Sequence, residues 1–412
     1  MRDVLPEEQP YWRFIETKIA EITSLYGYQR IDPPIIEETG LFVRSVGDTT
    51  DIVEKEMYSF IDKGETPITL RPEFTAGFMR LYLQNGMHKL PKPVKLFSIG
   101  PIFRYEKPQA GRFRQHNQFN IEAIGEQDPA LDSEIMSIAW QLYSELGFSD
   151  LKFQLNSTGC PKCRPGYIKR LVNYYQDRRE EICQDCKRRL ERNALRLLDC
   201  KKEQCQPVIA EAPVITDFLC EECKHHFSEL RSFLDLTQRA YEINHRLVRG
   251  LDYYTKTVFE VWAAGIGAQS AMCGGGRYDG LIEQLGGEPT PGIGFGSGIE
   301  RIVMSMKEQG LPPESVPAPQ VYIVHFGEQA RRFGLKLTFN LREHHIGTLF
   351  SFGTKSMKAM MRDANRRNVL YAVLIGDEEI AQNSVTLKDL KQGNQSVVPM
   401  DKIVSRLKSL LA

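Results

Sequence analysis

Residues 103–125, FRYEKPQAGRFRQHNQFNIEAIG, constrain the fold more tightly than any other stretch of the chain. The spacing predicts a strand ending in Arg104, a loop with Pro108, Gly111 and the cations Lys107, Arg112 and Arg114, and a second strand starting near Gln115. Alternation along that second strand puts Gln118, Asn120 and Glu122 on one face. Three amide or acid groups on one sheet face are too polar for a core unless a ligand meets them. Guanidinium groups on a Gly/Pro loop suit a polyphosphate, because the fork is always charged and grips phosphate oxygens bidentately. A solvated hairpin with a charged face would read the same way, so this segment does not decide alone.

Two later segments add to it. In VRGLDYYTKTVFEV (248–261), Arg249, Asp252, Tyr253 and Tyr254 precede a β-rich run and set a cation beside hydroxyl donors. Tyrosine is also a common sheet residue, so Tyr254 and Tyr278 read equally as ordinary sheet aromatics. In PGIGFGSGIERIVMSM (291–306), glycines at 292, 294, 296 and 298 predict a strand with close backbone approach, running into a helix that carries Arg301 near its start. Counting from Gly292 and Gly294, the closing position of G-x-G-x-x-G is Ser297, and no G-x-x-x-x-G-K-[ST] occurs. Rossmann and P-loop nucleotide sites are disfavoured; arginines on an antiparallel sheet are the remaining way to hold a nucleotide.

These segments together resemble class II aminoacyl-tRNA synthetases, and among them the histidyl-tRNA synthetases. IDPPIIEETGLF (31–42) is similar to the dimer-forming first motif, TLRPEFTAG (69–77) to the loop capping the amino acid, FRYEKPQAGRFRQ to the second motif and GIGFGSGIERIV to the third. VRGLDYY and GGGRYDGL (274–281) resemble the two signatures peculiar to the histidine enzymes and are the most diagnostic. The resemblance spans nearly the whole chain. It implies an α+β fold: an antiparallel sheet flanked by helices, a helical cysteine-rich insertion and a C-terminal α/β anticodon-binding domain.

The implied reaction joins histidine to ATP as histidyl-adenylate, then passes it to the terminal ribose of histidine tRNA. Carboxylate attack on the α-phosphate brings two anions together, so positive charge must face the developing phosphorane. By the resemblance, the catalytic pair is Arg104 and Arg249, both at the α-phosphate. Arg112 reaches the β/γ-phosphates and Arg301 the γ-phosphate, with Mg²⁺ accompanying ATP. Neutral imidazole offers one donor and one acceptor; Glu122 matches the family's acceptor and Tyr254 its donor. Glu73, Thr75 and Gln118 match the α-ammonium acceptors, Arg249 and Tyr253 also border the histidine, and Tyr278 walls the pocket. A homodimer is implied by the first motif alone.

A chain of 412 residues is expected to hold two or three domains. The start, MRDVLPEEQPYW, is acidic and proline-broken, unlike a secretory signal or transit peptide, and no apolar run approaches a membrane span. The expectation is a cytoplasmic protein with no membrane partner. Net charge is zero but uneven: 320–412 holds 14 basic and 8 acidic residues, 160–224 holds 14 and 11, and the remainder 25 and 34. An acidic body with a basic tail fits a polyanion docked mainly at the C-terminal part, although a charge run is more often a solvated face.

Eight of nine cysteines fall between 160 and 223: Cys160, Cys163, Cys183, Cys186, Cys200, Cys205, Cys220 and Cys223. This density and the CxxC spacing point to structural zinc, in up to two four-cysteine sites whose pairing the sequence leaves open. A helical insertion with buried, metal-free cysteines is the alternative. The family resemblance does not supply this metal, which is expected to lie remote from the chemistry. The expected plan is a catalytic domain in two parts, 1–159 and 225–312, the insertion at 160–224, a linker at 313–319 within the proline run LPPESVPAP, and a β-α-β-α-β-β domain at 320–412.

Phe74 departs from the family's usual glycine, and a side chain there is expected to crowd the ammonium site or alter loop closure. The Gly-Thr pair that normally stands ahead of the residue matching Asp3 is missing, which leaves the start codon open. Two other functions compete. A non-catalytic regulatory subunit of ATP phosphoribosyltransferase, built on the same fold, would be expected to lack 320–412 and Arg249 or its neighbours; both are present. A general nucleic-acid-binding zinc protein leaves the polar floor and the arginine set unexplained.

Overall fold

The computed structural model describes residues 1–47, 50–106, 113–264, 271–313 and 318–411. The chain divides into two compact units, Met1–Glu314 and Ser315–Ala412.

The first unit is built on an eight-stranded sheet. Its strands run, edge to edge, Gln29–Arg30, Val94–Phe103, Gln115–Ile124, Gly292–Gly298, Ala271–Arg277, Thr255–Trp262, Lys152–Ser157 and Tyr241–Ile243. The outermost pairing at each edge is parallel and all others are antiparallel. Successive side chains on a strand face opposite sides, and this sheet uses the two sides differently. On one side, Phe97, Phe119, Phe295, Phe259 and Phe153 form a chain of edge-to-face rings with centroids 5.5–6.3 Å apart. The helices Gln9–Leu25, Pro129–Glu145, Glu221–Leu236 and Ile299–Glu308 bury their apolar stripes there, through Ile15, Ile138, Leu230 and Val303 among others. Gly275 pairs with both Phe259 and Phe295, and a Cβ on it would strike Phe295; its absence lets the two rings meet across the strand.

A smaller sheet of Ile36–Glu38, Pro67–Leu70 and Tyr58–Ile61 accompanies the helix Thr75–Gln84. Between Cys160 and Cys223 the helices Arg164–Gln176, Gln184–Arg192 and Gln206–Ala210 enclose a separate core of Tyr167, Leu171, Tyr175, Leu190, Leu197 and the cysteines. The helix Glu221–Leu236 starts in that core at Cys223 and ends in the main one at Leu234.

The second unit has three parallel strands, Thr348–Phe350, Val321–His325 and Tyr371–Ile375, then antiparallel Ser384–Asp389 and Gln395–Pro399. Glu328–Glu343, Met357–Arg366 and Ile403–Leu411 are its longer helices. The short helix Asp377–Ala381, the last strand and the last helix go beyond the β-α-β-α-β-β expected from sequence.

Arg277 is the largest fully buried side chain among the described residues. Its Nε donates to Asp132 at 2.6 Å and its amino groups to Asp279 and to the carbonyls of Glu126 and Asp128, while His226 Nε2 meets the other Asp132 oxygen at 2.8 Å. Every polar edge of the cation is matched, which is what makes its burial tolerable. Asp132→Ala leaves the buried Arg277 Nε and His226 Nε2 without their partner and is expected to cost about 3–5 kcal/mol of stability. Urea unfolding measures this, and an unchanged midpoint would show that the pair carries no weight.

Candidate active site

The other side of the sheet is polar and hollow. Gln118, Asn120 and Glu122 face it, and their direct partners on the next strand are Gly298, Gly296 and Gly294. A Cβ on Gly294 would strike the Glu122 carboxyl, and one on Gly296 the Gln118 amide. One strand further, Gly274 lies beneath the Arg249 guanidinium and Gly276 beside the Tyr254 ring. Glycine recurs at these positions because each missing side chain makes room for a long polar one arriving from a neighbour. The hollow is a cavity of about 140 Å³ walled by Thr75, Tyr253, Tyr254 and Tyr278, with Arg104 and Arg249 at its border.

Glu122 is buried at its centre. It accepts from Thr75 Oγ1 at 2.6 Å, Asn120 Nδ2 at 2.7 Å and the Tyr278 hydroxyl. Burial drives its pKa up to about 7; the three hydrogen bonds offset only part of this. Gln118, which lines the cavity, has a buried Oε1 with no partner among the described residues, an acceptor left open. Glu73 is buried but does not line the cavity: it accepts from the Thr75 and Ala76 amides and so caps the helix that delivers Thr75. Phe74 corrects an expectation. Its ring is fully buried, edge-on to Phe78 and 4.1 Å beneath the Arg71 guanidinium, so it fills core rather than crowding the cavity.

A cleft of about 870 Å³ shares Arg104, Arg249, Gly274 and Gly296 with the cavity and is also lined by Arg301. Three sequence segments thus bring arginines to one cleft. Each is held by the protein: Arg104 Nε donates to the Pro72 carbonyl at 2.8 Å, Arg301 to the Ala271 carbonyl at 2.6 Å, and Arg249 pairs with Glu260. Arg112 lies outside the described residues. His116 lines the same cleft, and burial, followed by the Arg104 charge, pushes its pKa down to about 4, so its ring is neutral beside the cations. Glu300 accepts from the Asn117 amide at 2.9 Å. The sequence reading passed over His116, Glu260, Trp262 and Glu300. Glu260 was within reach, since the alternation that singled out Glu122 also isolates it between the inward-facing Phe259 and Val261.

The cysteines sort into two nested groups: Cys160, Cys163, Cys220 and Cys223 outside, Cys183, Cys186, Cys200 and Cys205 inside. A tetrahedral ion bound at about 2.3 Å sets sulfur–sulfur edges of about 3.8 Å. The closest Sγ pairs lie at 3.7–3.9 Å in the outer group and 3.9–4.0 Å in the inner one, so both fit such an ion. Neither group is remote from the polar side of the sheet, contrary to expectation. Cys200 lines the arginine cleft, as do Arg189, Arg196, Lys201 and Lys202 around it. Arg164, next to Cys163, donates to the carbonyls of Thr158 and Tyr254, tying the outer group to a wall of the cavity. A metal drawn in from sequence spacing alone carries no position, and hence the error.

Comparison with known proteins completes the description. The family model described as histidyl-tRNA synthetase matches residues 1–302, and that of an anticodon binding domain matches residues 320–410. A histidine–tRNA ligase of Dehalococcoides mccartyi (strain 195) is 50% identical over 406 residues, 98% of this chain and 97% of that protein. One from Desulfitobacterium hafniense is 47% identical over 399 residues, 97% of this chain and 94% of that protein. The crystal structure of apo S. aureus histidyl-tRNA synthetase superposes with a TM-score of 0.83 at 36% identity, covering 98% of this chain and 97% of that one.

Glu122 makes a pH dependence testable. Its folded pKa of about 7 stands above the usual 4.5, so between these values the folded state keeps a proton that the unfolded chain releases. Stability therefore falls as pH rises through that window, by about 3 kcal/mol in all. Glu122→Gln removes the step and is expected to flatten the melting temperature between pH 5 and 8. Parallel pH profiles for the two proteins would refute the account.

Proposed function

The chain belongs to the histidyl-tRNA synthetase family, and from that premise we propose how its residues carry out the family's chemistry. The chain is an ATP-dependent aminoacyl-tRNA ligase that activates histidine to histidyl-adenylate and transfers it to the 3′ end of histidine tRNA. Residues 320–410 match an anticodon binding domain, and relatives named as ligases align over the full length, which supports the ligase and not the regulatory subunit.

In the first step an oxygen of the histidine carboxylate bonds to the α-phosphorus of ATP. The bond from that phosphorus to the bridging oxygen breaks, and its electron pair leaves with pyrophosphate. Arg104 and Arg249 draw the two anions together and hold the charge that grows on the α-phosphate oxygens. Arg301 and Arg112 take the β/γ end, with Mg²⁺ entering as the companion of ATP. The observation that carries this reading is the convergence of Arg104, Arg249 and Arg301 on one cleft that opens beside a polar-floored cavity. In the second step a hydroxyl oxygen of the terminal ribose bonds to the acyl carbon, the bond from that carbon to the phosphate oxygen breaks, AMP departs with the electron pair, and the hydroxyl proton is released.

Histidine is selected by hydrogen bonding. A carboxylate has about four lone-pair sites, and three donors already occupy Glu122; the imidazole N–H takes the remaining one. Tyr254 donates to the other ring nitrogen. Gln118 Oε1 and Thr75 receive the α-ammonium, Tyr253 and Tyr278 close the pocket, and Glu73 holds Thr75 in place. An amino acid without both imidazole functions leaves buried groups unmatched, which rejects it by roughly 10⁴-fold.

The catalytic domain comprises 1–159 and 225–312, the cysteine-rich insertion 160–224, and the tRNA-reading domain 320–412 after the linker 313–319. The insertion holds one zinc ion in each four-cysteine group. A second copy of the chain covers the exposed apolar side chains of Ile35, Ile36, Phe60 and Ile61 around the small sheet. No helix among the described residues is long and apolar enough to cross a membrane, and the work of the enzyme lies where tRNA is charged, in the cytoplasm.

Arg249→Ala is expected to lower kcat in histidine-dependent ATP–pyrophosphate exchange by roughly 10²–10³-fold; exchange at the wild-type rate would remove Arg249 from the mechanism. Elemental analysis should find about two zinc ions per chain, falling by one in Cys183→Ser and by one in Cys223→Ser. One ion, or the same loss in both variants, would contradict two separate sites.

A further inference from the structure

Arg249 sits on an irregular segment between the strands Tyr241–Ile243 and Thr255–Trp262, where no regular backbone fixes its side chain. What fixes it is a cradle. Glu260 is the acidic side chain on the ligand side of its strand, and its carboxylate lies between two donors: an Arg249 amino group at 2.5 Å and the Trp262 indole N–H at 3.0 Å. The residue paired with Glu260 on the adjacent strand is Gly274, whose missing Cβ leaves the space that the guanidinium fills. Tyr254 also interacts with the guanidinium, but the Arg249 Nε is buried and has no partner among the described residues, so the cradle does not use every donor of the fork. Arg249 and Glu260 both line the cleft.

From this geometry we infer that Glu260 is a positioning residue: held by Trp262, it locks the Arg249 guanidinium flat over Gly274 so that its remaining donors already face the α-phosphate. The inference rests on the reading that Arg249 serves the α-phosphate. A flexible arginine would reach an anion in the ground state whether or not it were held. A held one stabilises charge at one place, where it increases as the phosphorus gains its fifth oxygen. Glu260 therefore acts on kcat and leaves KM little changed. It touches no substrate and takes no proton.

The test follows single-turnover adenylate formation, with KM values from exchange and melting temperatures, in the full chain and in Glu260→Gln, Arg249→Ala and the double variant. Glu260→Gln keeps the shape and the Trp262 contact but removes the charge. Its rate should fall about 10- to 100-fold, with KM for histidine and ATP within about twofold and an unchanged melting temperature. The double variant should be no slower than Arg249→Ala alone, because one residue acts through the other. Trp262→Phe, which retains the ring and loses the N–H, should show a smaller fall in the same rate, and it decides the matter should Glu260→Gln fail to fold. An unchanged rate in Glu260→Gln, or a penalty that adds in full to that of Arg249→Ala, overturns the positioning role while leaving Arg249 in the mechanism. A wild-type rate in Arg249→Ala fells both.

Discussion

A side chain on a β-strand has only two directions to choose from, and the first unit depends on how strictly its strands obey that limit. Five phenylalanines meet on one side of the sheet, while Gln118, Asn120, Glu122 and Glu260 stand on the other. A one-residue slip of the Gln115–Ile124 strand would put Glu122 among the rings and Phe119 or Ile121 into the cavity. The aromatic side fixes the register, because several well-packed rings cannot be exchanged for carboxylates. Burial on one side therefore enforces polarity on the other. The functional face costs stability, as the raised pKa of Glu122 records, and the aromatic face offsets that cost.

The same economy of space explains the glycines. A flat, polar floor requires long side chains to lie along the sheet instead of standing on it, and a neighbour without a Cβ is what permits this. Glu122 lies over Gly294, Gln118 over Gly296 and Arg249 over Gly274. Gly275 faces the opposite way and serves the rings. Three consecutive glycines thus answer to two different demands, alternating with the strand.

Much of this was legible beforehand. The first strand, expected to end in Arg104 and found to end at Phe103, the return at Gln115 and the shared face of Gln118, Asn120 and Glu122 follow from alternation, which is a local rule. The glycine strand running into the helix at Ile299 follows from composition and spacing. What eluded the sequence is what depends on partners distant along the chain. Phe74 looked intrusive because nothing local says that its ring will lie beside Gly100, on a strand some 26 positions later. Arg277 stands in a signature stretch, and nothing local says that Asp132, 145 positions earlier, will hold it buried in the core. Cysteine spacing proposes a metal but neither its pairing nor its place.

That place gives the insertion a physical purpose. A segment of some sixty residues between Cys160 and Cys223 is too short to secure itself by burial alone, and staples of metal or sulfur commonly make up the difference. The nested pairing suits a segment inserted into another fold. The outer cysteines close its neck, where the chain leaves and rejoins the sheet, and the inner ones shape its tip. The tip carries Arg189 and Arg196 to Asp51, and Arg192 to Glu54, so it rests on the segment that borders the cleft. The neck reaches Tyr254 through Arg164. A loose insertion would release both contacts at once, one beside the arginine cleft and one on the cavity wall. The two cysteine groups, distant in sequence from every other site residue, therefore belong to the architecture that keeps the cleft and the cavity in register.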